Sequence, residues 1–159
     1  MDQFTRQIIG FSVHAGPVDG PAVCRLFNSI LGSSTSPQHL SSDNDPLFKF
    51  HRWKANLRIL DVAEVKTEPY VPLSHPFVER LIGTVRREVL DHVPFWGSLD
   101  LENKLYSFED YYNRDRAHRG LGGATPEPKP GNAAQSIARL DNYRWKSYCR
   151  GLYQLPIAA

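Results

Sequence analysis

The chain has 159 residues and a mass of 18.1 kDa, enough for one ordinary domain with a sizeable core and too little for multidomain machinery. Apolar residues make up 41% and charged residues 23%, with 11 glycines and 12 prolines, a composition that excludes disorder and collagen-like repetition. Nineteen Lys and Arg against seventeen Asp and Glu leave a net charge of +2, too small for whole-molecule attraction to a polyanion.

The distribution of charge is less even. Residues 80–159 carry 12 basic and 9 acidic side chains against 7 and 8 in residues 1–79, so a modest basic face is expected in the second half. Cys24 and Cys149 lie too far apart in the sequence to suggest a CxxC metal cluster or a disulfide framework. No run approaches the roughly 18 apolar residues of a membrane span, and the opening residues carry Asp2 and no apolar core of a signal peptide. A cytoplasmic protein with free thiols and no membrane partner is the expectation.

In chain order, residues 7–13 have the β-branched and aromatic content of a strand. Asp19-Gly20-Pro21 reads as a cap and helical start, followed by Val23, Leu26, Phe27, Ile30 and Leu31 at helical spacing and a stop at Gly32. After a polar loop, His39-Leu40-Ser41-Ser42 is a short strand running into the turn Asp43-Asn44-Asp45-Pro46. Pro46 opens a helix bearing Phe48, Trp53 and Leu57, and Leu60, Val62 and Val65 mark a second short strand.

A proline-punctuated loop then reaches Ser74-His75-Pro76, a helix start that opens the longest helix. At about 100° per residue from Glu79, the side chains of Phe77, Leu81, Val85, Val78, Val89 and Ile82 fill an arc from about 160° to 300°, the expected buried face. Glu79, Gly83, Arg86 and Arg87 lie nearly opposite. Ser98 is placed to cap a further helix through Leu101, Leu105, Phe108, Tyr111 and Tyr112, broken over residues 114–123. The closing stretch, with Tyr143, Trp145, Tyr148, Leu152 and Tyr153, reads as a short strand-bearing appendage too small to fold alone.

Asp43 at a strand end and Glu79 in a first helical turn are separated by 35 residues, and two such rigid supports can bring carboxylates together. Gathered carboxylates repel, and a hard divalent ion relieves them. Magnesium or manganese fits oxygen ligands, and zinc does not, since no close His/Cys grouping exists. Spacing alone leaves the plainer accounts open, an Asx turn for Asp43 and helix-dipole stabilisation for Glu79.

The surrounding text narrows the choice. Leu40-Ser41-Ser42-Asp43-Asn44-Asp45-Pro46-Leu47-Phe48, then Glu64-Val65-Lys66, then the run from Pro72-Leu73-Ser74-His75-Pro76 through Glu79 to Arg86-Arg87-Glu88 closely resemble the catalytic core of DDE-type integrases and bacterial insertion-sequence transposases. Tyr111-Tyr112-Asn113 through Arg116, His118, Leu121, Thr125 and Pro126 is similar to the motif closing that core, and residues 2–10 to its second strand. The resemblance implies an RNase H-like α/β core, a mixed sheet flanked by helices, in which three carboxylates hold two Mg2+ or Mn2+ ions for attack of water or a DNA 3′-hydroxyl on a phosphodiester.

On that resemblance Asp43 is the second metal ligand and Glu79 the third, and both are catalytic. The first aspartate has no counterpart; Asp2 matches a position that is not a ligand. The expectation is therefore a core truncated at its N-terminus, with the first strand missing and catalysis incomplete. Residues 1–126 form the partial core and residues 127–159 an appendage. Arg86 stands where the family often carries a cation near DNA phosphate, and Arg87, Arg114, Arg116 and Arg119 extend a phosphate-binding surface. The implied partners are transposon-end and target DNA and a second copy or full-length transposase. A non-catalytic DNA-binding or oligomerising remnant is the alternative, and an unrelated RNase H-like hydrolase a third reading. His75 is read as a loop hydrogen-bonder, and Trp53, Trp96 and Trp145 as packing before base stacking.

Overall fold

A computed structural model describes residues 1–32, 36–66, 76–127 and 143–158. The loop expectations for Ser74 and His75, and residues 128–142 of the closing stretch, lie outside the described residues. The chain divides into two compact units, Ile9–Gly83 and Met1–Ile8 with Thr84–Ala159.

In the unit of residues 9–83, α1 (Gly20–Leu31) starts as its sequence dictates. Asp19 accepts the Ala22 N–H at 2.7 Å, Pro21 sits in the first turn, and Gly32 ends the helix. Gly20 is small for a reason: a Cβ there would meet the Phe50 ring at 2.2 Å. β1 (His39–Ser42) leads through a turn into a 3-10 helix, Pro46–Lys49, capped by Asp45. Phe50 is extended, so α2 (His51–Ile59) begins afresh rather than continuing from Pro46. β2 (Ala63–Lys66) pairs with β1 in parallel, Leu40 opposite Glu64 and Ser42 opposite Lys66.

Trp53, Leu57 and Val62 form the core here, with the Phe27 and Phe48 rings 5.2 and 5.3 Å from Trp53. Truncating such a buried indole costs about 3–5 kcal/mol. Val65, read from the sequence as part of the apolar strand pattern, faces out at 50% exposure. Val62 and Val65 are three apart, and a strand repeats every two residues, so they cannot share a face. Glu64 and Lys66 turn inward in its place.

α3 (Pro76–Val85) runs into a π-helical turn, Arg86–Leu90. Leu81, Thr84, Val85 and Val89 are buried, whereas Val78 and Ile82 are exposed. The buried stripe is thus displaced toward Thr84 relative to the sequence expectation. Val89 returns to it because the wide π turn adds a residue and resets the phase. α4 (Ser98–Arg114), with 17 residues, is the longest described helix and exceeds α3 and the π turn taken together. Gly97, not Ser98, holds its cap position.

In the second unit, Phe108, Tyr112, Leu105 and Ile8 are buried with Tyr148 and Cys149 of the hairpin. β3 (Tyr143–Tyr148) and β4 (Tyr153–Ala158) pair antiparallel. Tyr153 stacks on Tyr111 of α4 at 4.7 Å, and the Tyr148 and Tyr153 hydroxyls donate to Asp115 and to the Glu88 carbonyl. Burial pushes the Cys149 thiol up to about 11.

Residues 7–13 form no strand. Ile8 is instead held by one side chain: the Asn113 amide accepts the Ile8 N–H and donates to the Ile8 carbonyl, both at 2.9 Å. A carboxamide presents the same donor and acceptor as a peptide, so Asn113 does for Ile8 what a neighbouring strand would do. The fold class is α/β, with parallel and antiparallel pairing in separate ladders among the described residues. No described helix is long and apolar enough to cross a membrane.

Asn113→Ala strands the buried Ile8 N–H and carbonyl together. The expected loss is about 2–4 kcal/mol in urea unfolding, with helical circular dichroism retained below the transition. A loss under about 0.5 kcal/mol, the range of ordinary surface changes, would show that solvent replaces the amide.

Candidate active site

Two of the predicted carboxylates belong to one unit. Asp43 follows the last residue of β1 and is exposed, and Glu79 lies in the first turn of α3, also exposed. Asp43 Oδ1 accepts the Asp45 N–H at 3.0 Å, and Asp45 Oδ1 accepts the Leu47 N–H at 2.8 Å, two successive Asx turns that set the path of the loop. The plainer account of Asp43 is therefore realised. One N–H uses only part of what a carboxylate can accept, about four lone-pair sites, so the turn and a ligand role are compatible.

Beside Asp43 lies a polar network that the sequence did not announce. Glu64 Oε1 accepts from the Ser42 hydroxyl at 2.6 Å, the Trp53 indole N–H at 2.9 Å and the Lys66 ammonium at 2.7 Å. Lys66 Nζ also donates to Ser42 Oγ at 2.9 Å and to the main-chain carbonyls of Asp43 and Phe48, each at 3.2 Å. Burial works against the ionised form of Glu64, but the hydrogen bonds from Lys66, Ser42 and Trp53 outweigh it and hold its carboxyl below the usual range. The one available signal was the odd spacing of Val62 and Val65, which forces Glu64 and Lys66 onto the inner face.

The five candidate arginines separate into two groups. Arg116 makes a two-pronged pair with Glu88, Nε to Oε2 at 3.1 Å and the terminal nitrogen to Oε1 at 2.8 Å, and the Glu88 hydrogen bond raises its pKa further. Arg114 bridges Asp110 at 2.7 Å and Glu127 at 3.0 Å. Arg86 and Arg87 in the π turn and Arg119 in the 3-10 turn Arg119–Leu121 are exposed, with no ion pair among the described residues. His118 packs against the Tyr112 ring at 4.5 Å, and burial lowers its pKa. Trp53 is packing, as expected, whereas Trp96 and Trp145 are exposed.

Among the described residues no three His, Cys, Asp or Glu side chains cluster to hold a metal ion. Asp43 and Glu79 are nonetheless hard oxygen donors, and a single Mg2+ or Mn2+ is ordinarily held by one or two carboxylates, with water and substrate phosphate completing its shell. The donor chemistry fits one such ion. Among the described residues these donors do not make a complete cage for two.

Residues 60–126 match the sequence model of the family described as Integrase core domain. A curated relative, the insertion element IS476 uncharacterized 39.2 kDa protein of Xanthomonas euvesicatoria, is 25% identical over 126 residues, 79% of this chain and 36% of that protein. The chain thus spans about a third of that relative's length. Among solved structures, the catalytic core domain of BIV integrase matches with a TM-score of 0.57 and 21% identity, over 77% of this chain and 76% of that one. The simian T-cell lymphotropic virus intasome in complex with PP2A regulatory subunit B56 gamma matches at 0.54 and 16%, over 90% and 55%. The resemblance to the DDE integrase and transposase core, and with it the RNase H-like fold, is borne out.

The Glu64 network has a pH signature. An unperturbed Glu titrates at 4.5, and in the fold Glu64 titrates lower. Its ionised form therefore stabilises the fold above the unfolded value, and that contribution is lost as pH falls through the lower folded value. The stability difference between wild type and Glu64→Gln, from urea unfolding, should be constant from about pH 7 to 5 and shrink toward about pH 3. A difference that does not change with pH would mean that Glu64 titrates like any exposed carboxyl.

Proposed function

We propose, from the premise that this chain carries a DDE integrase or transposase core, that it is a segment of a DNA strand-transfer recombinase encoded by a mobile element. Asp43 and Glu79 are its two metal-binding catalytic carboxylates. What supports this reading above all is the placement of both, exposed, at a strand end and a helix start of one compact unit, with Glu79 inside the residues 60–126 that match the integrase core. Asp43 and Glu79 would hold a Mg2+ or Mn2+ ion, which supplies charge stabilisation to the attacked phosphodiester and activates the attacking oxygen. The chain's own residues do the rest: the Asx turns orient Asp43, and the first turn of α3 carries Glu79.

Arg86, Arg87 and Arg119 are the phosphate-contacting side chains in this reading, since they are exposed and unpaired among the described residues. Arg114 and Arg116 are committed to intramolecular carboxylates and serve the fold first. DNA, as transposon ends and target, is the partner, and a second copy or a longer transposase completes the assembly.

A second reading is a DNA-binding or oligomerising remnant that does not cut, and the exposed Arg86, Arg87 and Arg119, which need no metal to meet phosphate, favour it. Salt-dependent DNA affinity without metal-dependent cutting or joining selects it.

Any Mg2+- or Mn2+-dependent nicking or joining of DNA by this chain should vanish in Asp43→Asn and in Glu79→Gln, with circular dichroism unchanged. A fully active variant refutes the assignment of that residue. In duplex-DNA anisotropy titrations over a salt series, Arg86→Ala/Arg87→Ala should reduce the slope of log K against log salt by about one for each DNA phosphate that is no longer neutralised. Arg116→Ala should lower the unfolding midpoint and leave the slope alone. Equal slopes for wild type and the Arg86/Arg87 variant would remove those arginines from the interface.

A further inference from the structure

The ammonium of Lys66 has more partners than an ion pair requires. Three hydrogens face four oxygens: Glu64 Oε1 at 2.7 Å, Ser42 Oγ at 2.9 Å, and the carbonyls of Asp43 and Phe48 at 3.2 Å each. Two of these oxygens are main chain: one belongs to Asp43, at the start of the turn that follows β1, and the other to Phe48, in the 3-10 helix that the turn leads into. We propose that Lys66, braced by Glu64, is the positioning residue of a divalent-cation site on Asp43, tying the start of the turn from which the Asp43 carboxylate projects to the 3-10 helix that follows it.

The inference rests on the reading of Asp43 as a metal-binding carboxylate, and adds to it the device that aims the carboxylate. The Asx turns alone fix the loop internally, because both use N–H groups of Asp45 and Leu47 within the loop itself. They leave its angle to the sheet unset. Lys66 supplies that angle, being on β2 in register with Ser42, one residue before Asp43. A plain ion pair with Glu64 needs neither carbonyl.

The charge balance agrees. A lone ammonium touching the Asp43 main chain would repel an incoming cation, whereas Glu64, 2.7 Å away, neutralises it. Glu64 in turn is fixed by the Trp53 indole in the core and by Ser42. Ligand groups held by such outer hydrogen bonds lose about 10–100-fold in metal affinity when the outer partners are removed.

The test uses the full chain and Mn2+ as the probe, read by electron paramagnetic resonance of free Mn2+, together with amide hydrogen exchange. Glu64→Gln/Lys66→Met removes both charges at once. Gln keeps an acceptor for Trp53 and Ser42, and Met keeps an apolar stem near the Phe48 ring, which the Lys66 ammonium reaches at 5.5 Å. Expected are Mn2+ binding weaker by about tenfold and faster exchange at the Asp45 and Leu47 amides, with the β2 amides and the thermal midpoint near wild type.

Lys66→Arg, which keeps the charge opposite Glu64 but cannot cup both carbonyls with a planar fork, should weaken Mn2+ binding in the same direction if the double variant folds poorly. Asp43→Asn separates the two layers of the reading. If it abolishes Mn2+ binding while the Lys66 variants bind and exchange like wild type, the positioning role is overturned and the Asp43 assignment stands. If Mn2+ binds Asp43→Asn as it binds wild type, or does not bind wild type at all, the Asp43 assignment falls and the positioning role falls with it.

Discussion

Two charged side chains face inward from a ladder only four residues long, and the unit of residues 9–83 is arranged around satisfying them. Glu64 and Lys66 occupy alternate positions of β2, so the strand period sends both to the face that packs on Trp53. A carboxylate or ammonium taken from water without partners costs several kcal/mol, more than a four-residue ladder returns. The partners are found nearby: the indole N–H of the main core residue, the hydroxyl that ends β1, and two carbonyls of the following turn. Core, strand pair and turn are thereby tied at one point. Replacing the pair by apolar residues could match its stability, but no apolar side chain would hold the turn carbonyls.

The other unit meets an analogous demand with a neutral group. Ile8 is buried with both its peptide groups to satisfy and no strand beside it. Asn113, near the C-terminal end of α4, answers with an amide of matching polarity, while its own carbonyl accepts the Glu127 N–H at 2.8 Å. This accounts physically for the Tyr111-Tyr112-Asn113 text. Tyr111 stacks on the hairpin, Tyr112 packs against Phe108 and His118, and Asn113 anchors Ile8 and Glu127. The motif is a joint of the fold.

What could be read in advance follows from how local each cause is. The Asp19 cap, the Gly32 stop and the Asp45-Pro46 turn depend on a few neighbouring residues, and all are present. The strand expected at residues 7–13 failed because β propensity names a residue fit for a ladder and not the presence of a partner. The buried stripe of α3 lies closer to Thr84 than apolar spacing suggests, because such spacing leaves a small polar residue out of the expected face, with Val78 and Ile82 exposed in consequence. Glu64 and Lys66 stand in the sequence only as part of the resembling text, and their inward placement follows from the odd Val62–Val65 spacing. The positions of Asp43 and Glu79 were legible from spacing as a pair among many, and only the family resemblance singled them out.

The same matching of charges to partners decides how the basic excess of the second half can act. Arg114 and Arg116 are basic in the sequence, but each is answered by carboxylates within 3.1 Å, so their field at a distance is largely cancelled. The π turn is different. Of its residues Arg86, Arg87 and Glu88, the carboxylate is engaged by Arg116, and the Glu88 carbonyl takes the Tyr153 hydroxyl. Arg86 and Arg87 are left exposed beside an acid already neutralised. A net charge of +2 therefore understates the local positive potential of that turn, which a polyanion would meet before the molecule's average.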